Sequence, residues 1–334
     1  MWLVTGATGH IGNVLVRKLL ERGEKVRALI LPNESRAPLN GLDVDAVQGD
    51  VLDLDSIFQS LRGIRGIFHL AGVISIMPGA DPIVHRVNVD GTKNLLKAAY
   101  EAGIQKFVYT SSIHAIQRAE QGVIIDEALP FDANNHYGEY DRSKAEATLE
   151  VQKAAHAGLE AVIACPTGVI GPYDFRDSMM GSVIRGAAEQ KPALYVDGAY
   201  DFVDVRDVAS GLIAASEKGR RGESYILSGQ RITVRYLLET VREITGRHFF
   251  QMKVPFDLAK FAARFTPLYY RLANSTPRFT PYSLEVLQSN SHISHAKATR
   301  ELGYRPRPLT ESIADAVQWF LETRHLRLSD AKAR

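Results

Sequence analysis

The chain has 334 residues, 45% of them hydrophobic and 23% charged, an ordinary globular composition with enough length to bury a large core unaided. Forty Lys and Arg against 38 Asp and Glu leave a formal charge of +2, no field for nucleic acid or for an anionic membrane. The single cysteine, Cys165, excludes an internal disulfide and suits a reducing compartment; no charged leader and no apolar run of about 18 residues is present, so a cytoplasmic protein without membrane insertion is expected.

In chain order, Trp2-Leu3-Val4 reads as a strand and Ile11 to Leu20 as a helix. Lys25 to Leu31 and Val44 to Val47 are strand-like, Leu54 to Leu61 helical, and Gly66 to Leu70 a strand. A long helix is expected over Val84 to Ala102, then a strand at Phe107-Val108-Tyr109, a helix over Tyr140 to Ala157 and a strand over Ala161 to Ala164. This alternation predicts βαβ units on a parallel, doubly wound sheet of Rossmann type. Beyond it the pattern is mixed. Helices are expected over Ser178–Gln190, Val205–Glu217, Thr233–Gly246 and Thr310–Thr323, with short strands at Leu194–Val196 and Ser224–Leu227. Pro255 to Leu287, rich in Phe, Tyr and Pro, reads as a lobe closing over the sheet, and the polar residues after Leu326 as a frayed end. The expected division is a dinucleotide-binding domain over 1–165, to which 201–217 returns, and a smaller mixed substrate lobe over 166–330.

Gly6, Gly9 and Gly12 stand between the first strand and the first helix. Gly6 permits the tight turn, Gly9 lets a pyrophosphate approach the backbone, and Gly12 lets the helix pack on the sheet. The helix N-terminus then offers unpaired N–H groups to phosphate. Thr8, His10 and Ile11 lie in the same loop. The spacing is Gly-x-x-Gly-x-x-Gly, so a turn that only needs positive φ is the alternative. The end of the second strand chooses the coenzyme. Neither an acid nor a base ends that strand. Arg36 could swing onto a 2′-phosphate and Glu34 could reach a ribose hydroxyl; the reading favours NADP over NAD.

Among thirteen tyrosines only Tyr140 has a lysine, Lys144, four residues later. On a helix the two share a face. A cation there is expected to stabilise the phenolate and lower its pKa from about 10, and Lys144 can also bond the nicotinamide ribose. A third hydroxyl is expected at the end of the fifth strand, in Thr110-Ser111-Ser112, to donate to a substrate oxygen.

Together, the glycine loop, Thr110-Ser111-Ser112 and Tyr140-x-x-x-Lys144 resemble the extended short-chain dehydrogenase/reductase family, also called the epimerase/dehydratase family. Gly49-Asp50-Val51 is similar to that family's adenine-contacting turn, and His69-Leu70-Ala71-Gly72 to the strand end lining the cofactor. Asn88-Val89-Asp90-Gly91-Thr92 is similar to its Asn-x-x-Gly-Thr, and Phe202 to Ala209 to the motif at the edge of the substrate lobe. The resemblance makes Ser112, Tyr140 and Lys144 the catalytic residues. It adds Asp50, Val51, Leu70, Ala71, Gly72, Asn88, Pro166, Thr167 and Val169 to the cofactor site. Nucleotide-sugar members usually carry arginine, asparagine and tyrosine where Cys165, Gly168 and Ile170 stand here. The stretch resembles instead the dihydroflavonol-reductase-like and 3β-hydroxysteroid-dehydrogenase-like branch, whose substrates are less polar. Thr276-Pro277-Arg278-Phe279-Thr280, Lys297-Ala298 and Leu302-Gly303-Tyr304 are similar to bacterial members of that branch. That branch's arginine at the end of the second strand is replaced by Leu31.

The leading expectation is NAD(P)-dependent carbonyl–alcohol redox chemistry on a mainly apolar small molecule. Its pocket wall would draw on Val73, Ser75, His114, His136, Met179, Met180, Tyr269 and Tyr270, although the Met and Tyr residues could be core and His114 a satisfied loop histidine. A sugar or sugar-nucleotide epimerase or dehydratase retaining NAD is the alternative. A non-catalytic NAD(P)H sensor is disfavoured by the presence of Ser112, Tyr140 and Lys144 together. The resemblance also implies a homodimer through Val84–Ala102 and Tyr140–Ala157.

Overall fold

Strand β1 (Trp2–Thr5) buries all four side chains and hydrogen-bonds in parallel to β2 (Val26–Ile30) on one side and to β4 (Gly66–His69) on the other. In the computed structural model, which describes residues 1–77, 79, 81–266, 268, 270 and 279–323, β1 is an interior strand of a seven-stranded sheet. Its order is β10-β6-β5-β4-β1-β2-β3, with β3 (Asp45–Gln48), β5 (Lys106–Thr110), β6 (Ala161–Pro166) and β10 (Ser224–Leu227), all parallel. The order reverses between β1 and β4, and the crevice for a dinucleotide in such a sheet lies at that reversal.

Each face of the sheet is covered by helices. Helices α2 (Leu54–Ser60), α4 (Gly91–Glu101) and α5 (Glu139–His156) place Ile57, Leu95, Ala98, Ala147 and Val151 in one core cluster. Helices α1 (His10–Glu21) and α7 (Val205–Lys218) place Leu15, Leu19, Val208 and Leu212 in the other. The single long helix expected over 84–102 is interrupted. A short helix α3 (Pro82–His85) runs into a wide π turn (Arg86–Asp90) before α4 begins. The π turn adds a residue to the helical repeat and so alters which side chains face the sheet.

The C-terminal lobe holds a three-stranded sheet, β7 (Gly168–Ile170), β9 (Ala199–Asp204) and β11 (Gln230–Thr233), and a pair, β8 (Ala193–Tyr195) with β12 (Gln251–Lys253). Its helices are α6 (Met179–Ala188), α8 (Val234–Thr245), α9 (Phe256–Ala263) and α10 (Pro281–Gln288), with α12 (Leu309–Glu322), while α11 (Ala296–Leu302) packs on α7 and β10 of the large sheet. Between β9 and β11 the chain returns to the large sheet, as α7 against α1 and β10 beside β6. The return is fastened at its start. The Asp204 carboxylate accepts from the Arg206 amide at 2.7 Å, and the Arg307 guanidinium reaches Asp207 at 2.9 and 3.1 Å. Cys165 is buried and free. No helix among the described residues is long and apolar enough to cross a membrane. Tyr269, the stretch 276–278 and the expected fray after Leu326 lie outside the described residues.

Candidate active site

The glycine loop turns out of β1 with Gly6 at φ +68°, a left-handed conformation that a side chain strains; an added Cβ would also lie 2.7 Å from the Ala71 amide nitrogen. Gly12 has a different reason. A Cβ there would stand 2.1 Å from the Gly6 carbonyl oxygen, so only glycine lets α1 rest on the loop. Gly9 caps α1 without a side-chain bond, and the first-turn amides of a helix have no intrahelical acceptor. The loop thus leaves N–H donors and a positive helix end at the mouth of the crevice, a fit for a pyrophosphate. Thr8 donates its hydroxyl to Glu34, the Glu34 carboxylate also accepts from the Leu31 amide at 3.3 Å, and Arg176 pairs with Glu34 while donating to Thr8 at 2.8 Å. Arg36 is exposed at the start of a short 3₁₀ turn. His10 bonds the Pro172 carbonyl at 2.9 Å, and Ile11 is half-buried against the second core cluster.

Beneath the crevice His69 ties β4 to its neighbours. Thr92 donates to the Asn88 carbonyl at 2.6 Å, so its oxygen accepts from His69 Nε2 at 2.9 Å. His69 Nδ1 is then bare and accepts from the Thr5 hydroxyl at 2.8 Å, whose oxygen in turn receives the Leu70 and Ala71 amides at 3.2 and 3.1 Å. Burial pushes the imidazole down to about 3 and keeps it neutral. Asn88, in the π turn, spends its amide inside the protein: it accepts from the Val73 amide at 2.8 Å and donates to the Val73 carbonyl and to Ser143 at 3.0 and 2.9 Å. It therefore braces the strand end. Gly72 lies alongside, where a Cβ would stand 3.0 Å from Asn88 Oδ1. Asp50 accepts from the Leu52 amide at 2.9 Å, and the Val51 carbonyl accepts from Asn94 at 3.1 Å.

At the end of β5 the two serines separate. Thr148 donates to the Lys144 carbonyl at 2.6 Å, so the Ser111 hydroxyl must donate to Thr148, also at 2.6 Å. Ser112 caps the following 3₁₀ turn by accepting from the His114 amide at 3.2 Å, which leaves its hydrogen free for another oxygen; its hydroxyl lies close enough to Tyr140 to ease ionisation of that phenol. Lys144 is buried and its Nζ donates to the Thr110 carbonyl at 2.6 Å. The Thr110 hydroxyl is buried with no partner among the described residues.

The electrostatics differ from the expected direction. Burial pushes the Tyr140 phenol up to about 12, and the Asp141 charge adds to the rise against the Ser112 hydrogen bond. Burial likewise pushes the Lys144 ammonium down to about 7. Desolvation thus dominates at both groups, and the proton stays on Tyr140.

On the substrate side His114 stacks on Tyr200 with ring centroids 5.8 Å apart and approaches the Tyr140 ring at 6.3 Å. Tyr200, Tyr282, Asp141 and Arg118 join it here; none stood out in the sequence, although Asp141 directly follows Tyr140. Val73 and Ser75 line the loop after β4, Met179 starts α6 with 39% exposure, and His136 is exposed in the turn before α5. Pro166 ends β6. The Thr167 hydroxyl donates to Asp201 at 2.7 Å, and Val169 lies in β7. A Cβ at Gly168 would meet the Phe202 ring at 2.7 Å, so an aromatic side chain fills the space that a longer residue would take.

Residues 2–228 match the family described as "NAD dependent epimerase/dehydratase family". The chain is 38% identical over 324 residues to "Sterol demethylase protein B" of Methylococcus capsulatus, covering 96% of this chain and 98% of the relative. It is 35% identical to "Putative dihydroflavonol 4-reductase" of Synechocystis, covering 96% and 94%. Among solved structures, that of gox2253 superposes with a TM-score of 0.83 at 33% identity, covering 96% of this chain and 98% of that one.

Proposed function

Because the chain belongs to the NAD dependent epimerase/dehydratase family, we propose that it is an oxidoreductase interconverting a ketone or aldehyde with an alcohol on a mainly apolar small molecule, with Tyr140, Ser112 and Lys144 at the reacting centre. The observation that carries the reading is the meeting of a protonated, half-buried phenol, a serine hydroxyl with a hydrogen to give and a lysine fixed on the Thr110 carbonyl at the end of β5. The glycine loop, Thr8 and the crevice wall at Leu70, Ala71 and Gly72 would hold a nicotinamide dinucleotide, which when bound supplies or takes up hydride. Ser112 Oγ donates to the substrate oxygen and orients the carbonyl. Tyr140 Oη gives its proton to that oxygen in reduction and takes it back in oxidation. Lys144, held by Thr110, brings positive charge beside the phenol as it ionises. Apolarity of the substrate is supported by Gly168, which offers no side chain to a sugar nucleotide, and by the sterol and dihydroflavonol in the names of the relatives.

The sequence favoured NADP through Arg36. Glu34 argues the other way: its carboxylate is fixed beside the glycine loop by Thr8, the Leu31 amide and Arg176, where it would accept from a ribose 2′-hydroxyl. NAD(H) is the coenzyme we carry forward. A cytoplasmic homodimer through α4 and α5 completes the proposal, and sedimentation velocity tests the dimer.

The direct test follows NADH oxidation with a panel of steroid and aromatic cyclic ketones. Tyr140→Phe should lower turnover by about 10²–10⁴-fold while NADH affinity, read by fluorescence, stays within about twofold. Undiminished turnover in that variant would remove the assignment. Interconversion of sugar nucleotides with no net NADH change would favour the epimerase instead.

A further inference from the structure

We propose that Asp141, Tyr282, His114 and Arg118, with Tyr200, form a latch through which the C-terminal lobe positions Tyr140 and Ser112. The inference rests on Tyr140 being the acid. An ionised carboxylate only accepts hydrogen bonds, so the direction of the chain is forced from Asp141 outward. The Tyr282 hydroxyl, on α10, donates to Asp141 Oδ1 at 2.6 Å. Its oxygen is then free to accept from His114 Nδ1 at 3.3 Å, and His114 Nε2 is left to accept from the Tyr200 hydroxyl, on β9, at 2.9 Å. Both ring nitrogens of His114 are therefore spent on the lobe.

The same residues adjoin the catalytic pair. His114 donates its amide to Ser112 Oγ, and Asp141 is the next residue after Tyr140 in the first turn of α5. Arg118 braces the assembly. It stands 3.4 Å from Asp141 and 3.2 Å from Glu285 on α10, and its guanidinium lies 3.4 Å over the ring of Tyr137. Lobe elements thus converge on the residues beside Ser112 and Tyr140. Asp141 is 1% exposed, and a buried carboxylate that loses its donors is strongly destabilised. The docked position of α10 is held by that need.

The groups facing Tyr140 are Asp141 and Lys144 on its own helix, Ser112 and His114 in the turn after β5, Tyr109 on β5, Tyr200 on β9, Tyr282 on α10, and Arg118 beside Asp141. Burial keeps His114, Tyr200 and Tyr282 neutral. The charge of Asp141, and how far its partners disperse it, is what the lobe can change at Tyr140.

The test is ¹³C NMR of tyrosine Cζ in the NAD⁺-bound protein, where the positive nicotinamide ring would favour the phenolate and bring the Tyr140 midpoint down into reach, with the resonance assigned by its loss in Tyr140→Phe and titrated from pH 5 to 11. Asp141→Asn removes the negative charge and should move the Tyr140 midpoint down by roughly one unit. Tyr282→Phe removes one donor oxygen, leaves that charge less dispersed, and should move the midpoint up. In the double variant the Tyr282→Phe effect should vanish, because it acts only through Asp141. A Tyr282→Phe midpoint equal to or below wild type, or an upward shift that persists without Asp141, overturns the latch. Circular dichroism and NAD⁺ affinity report folding; should Asp141→Asn fail to fold, the direction of the Tyr282→Phe shift decides. Retained turnover in Tyr140→Phe would sink the catalytic reading without touching these midpoints, so the two failures are distinct.

Discussion

His69 makes the native state sensitive to acid. Its pKa lies at about 3 in the folded protein against 6.5 for an ordinary histidine, so between those values the unfolded chain binds the extra proton. Stability is therefore undiminished by this group above pH 6.5 and is lost as the pH falls toward 3. Two units below 6.5 the loss is about 3 kcal/mol, an order-of-magnitude figure at about 1.4 kcal/mol per unit. His69→Gln should show a shallower fall in urea-unfolding free energy between pH 7 and 4.5 than wild type; parallel falls would show that the imidazole is not sealed. At this scale the sequence was readable where chemistry is local. Tyr140 and Lys144 stand four apart on one helix, and Ser112 follows a strand by two residues. What it hid were partners such as Arg176 with Thr8 and Tyr282 with Asp141, 168 and 141 positions apart, which no spacing rule connects. The acidity of Tyr140 was also misjudged, because a sequence displays the neighbouring cation but not the water removed from around the phenol.

Helix α1 and its loop carry the next prediction. Gly12→Ala inserts a methyl group 2.1 Å from a backbone oxygen, a distance no rotamer can relieve, so the helix must move off the strand. We expect NADH binding to weaken at least tenfold and stability to fall by about 1–3 kcal/mol, the range for overpacking; fluorescence titration and denaturant unfolding measure the two. Wild-type affinity in that variant would mean that α1 tolerates displacement. Elements with a strong period were legible: the seven strands of the large sheet coincide with apolar runs, except that β10 was recognised without its place at the edge. β9 escaped because all six of its residues are buried, leaving no alternation to see, and β7, β11 and β12 because three or four residues carry no period. The helix expected over 84–102 is present as a continuous helical run from Pro82 to Glu101, but the π turn at Arg86–Asp90 sets its two ends out of phase, which no periodicity shows.

For the molecule as a whole, cofactor binding and folding are one linked equilibrium. A ligand bound only by the native state stabilises it by about 2.7 kcal/mol at a hundredfold excess over its Kd. NADH should accordingly raise the melting temperature by several degrees, and NADPH by less if Glu34 excludes the 2′-phosphate; the reverse ranking would restore NADP. The parallel sheet, the smaller lobe and the return of the chain over 201–217 were foreseeable, whereas the return of β10 to the edge of the large sheet was not. That return has a practical result. Because α7 and β10 reach the large sheet only after the chain has passed through β7 and β9, a fragment cut after residue 166 would leave β6, with six buried residues, as a bare apolar edge. Such a fragment should aggregate on expression. Swapping lobes between relatives would have to graft several separated stretches, with the 205–227 and 296–302 segments left in their original owner.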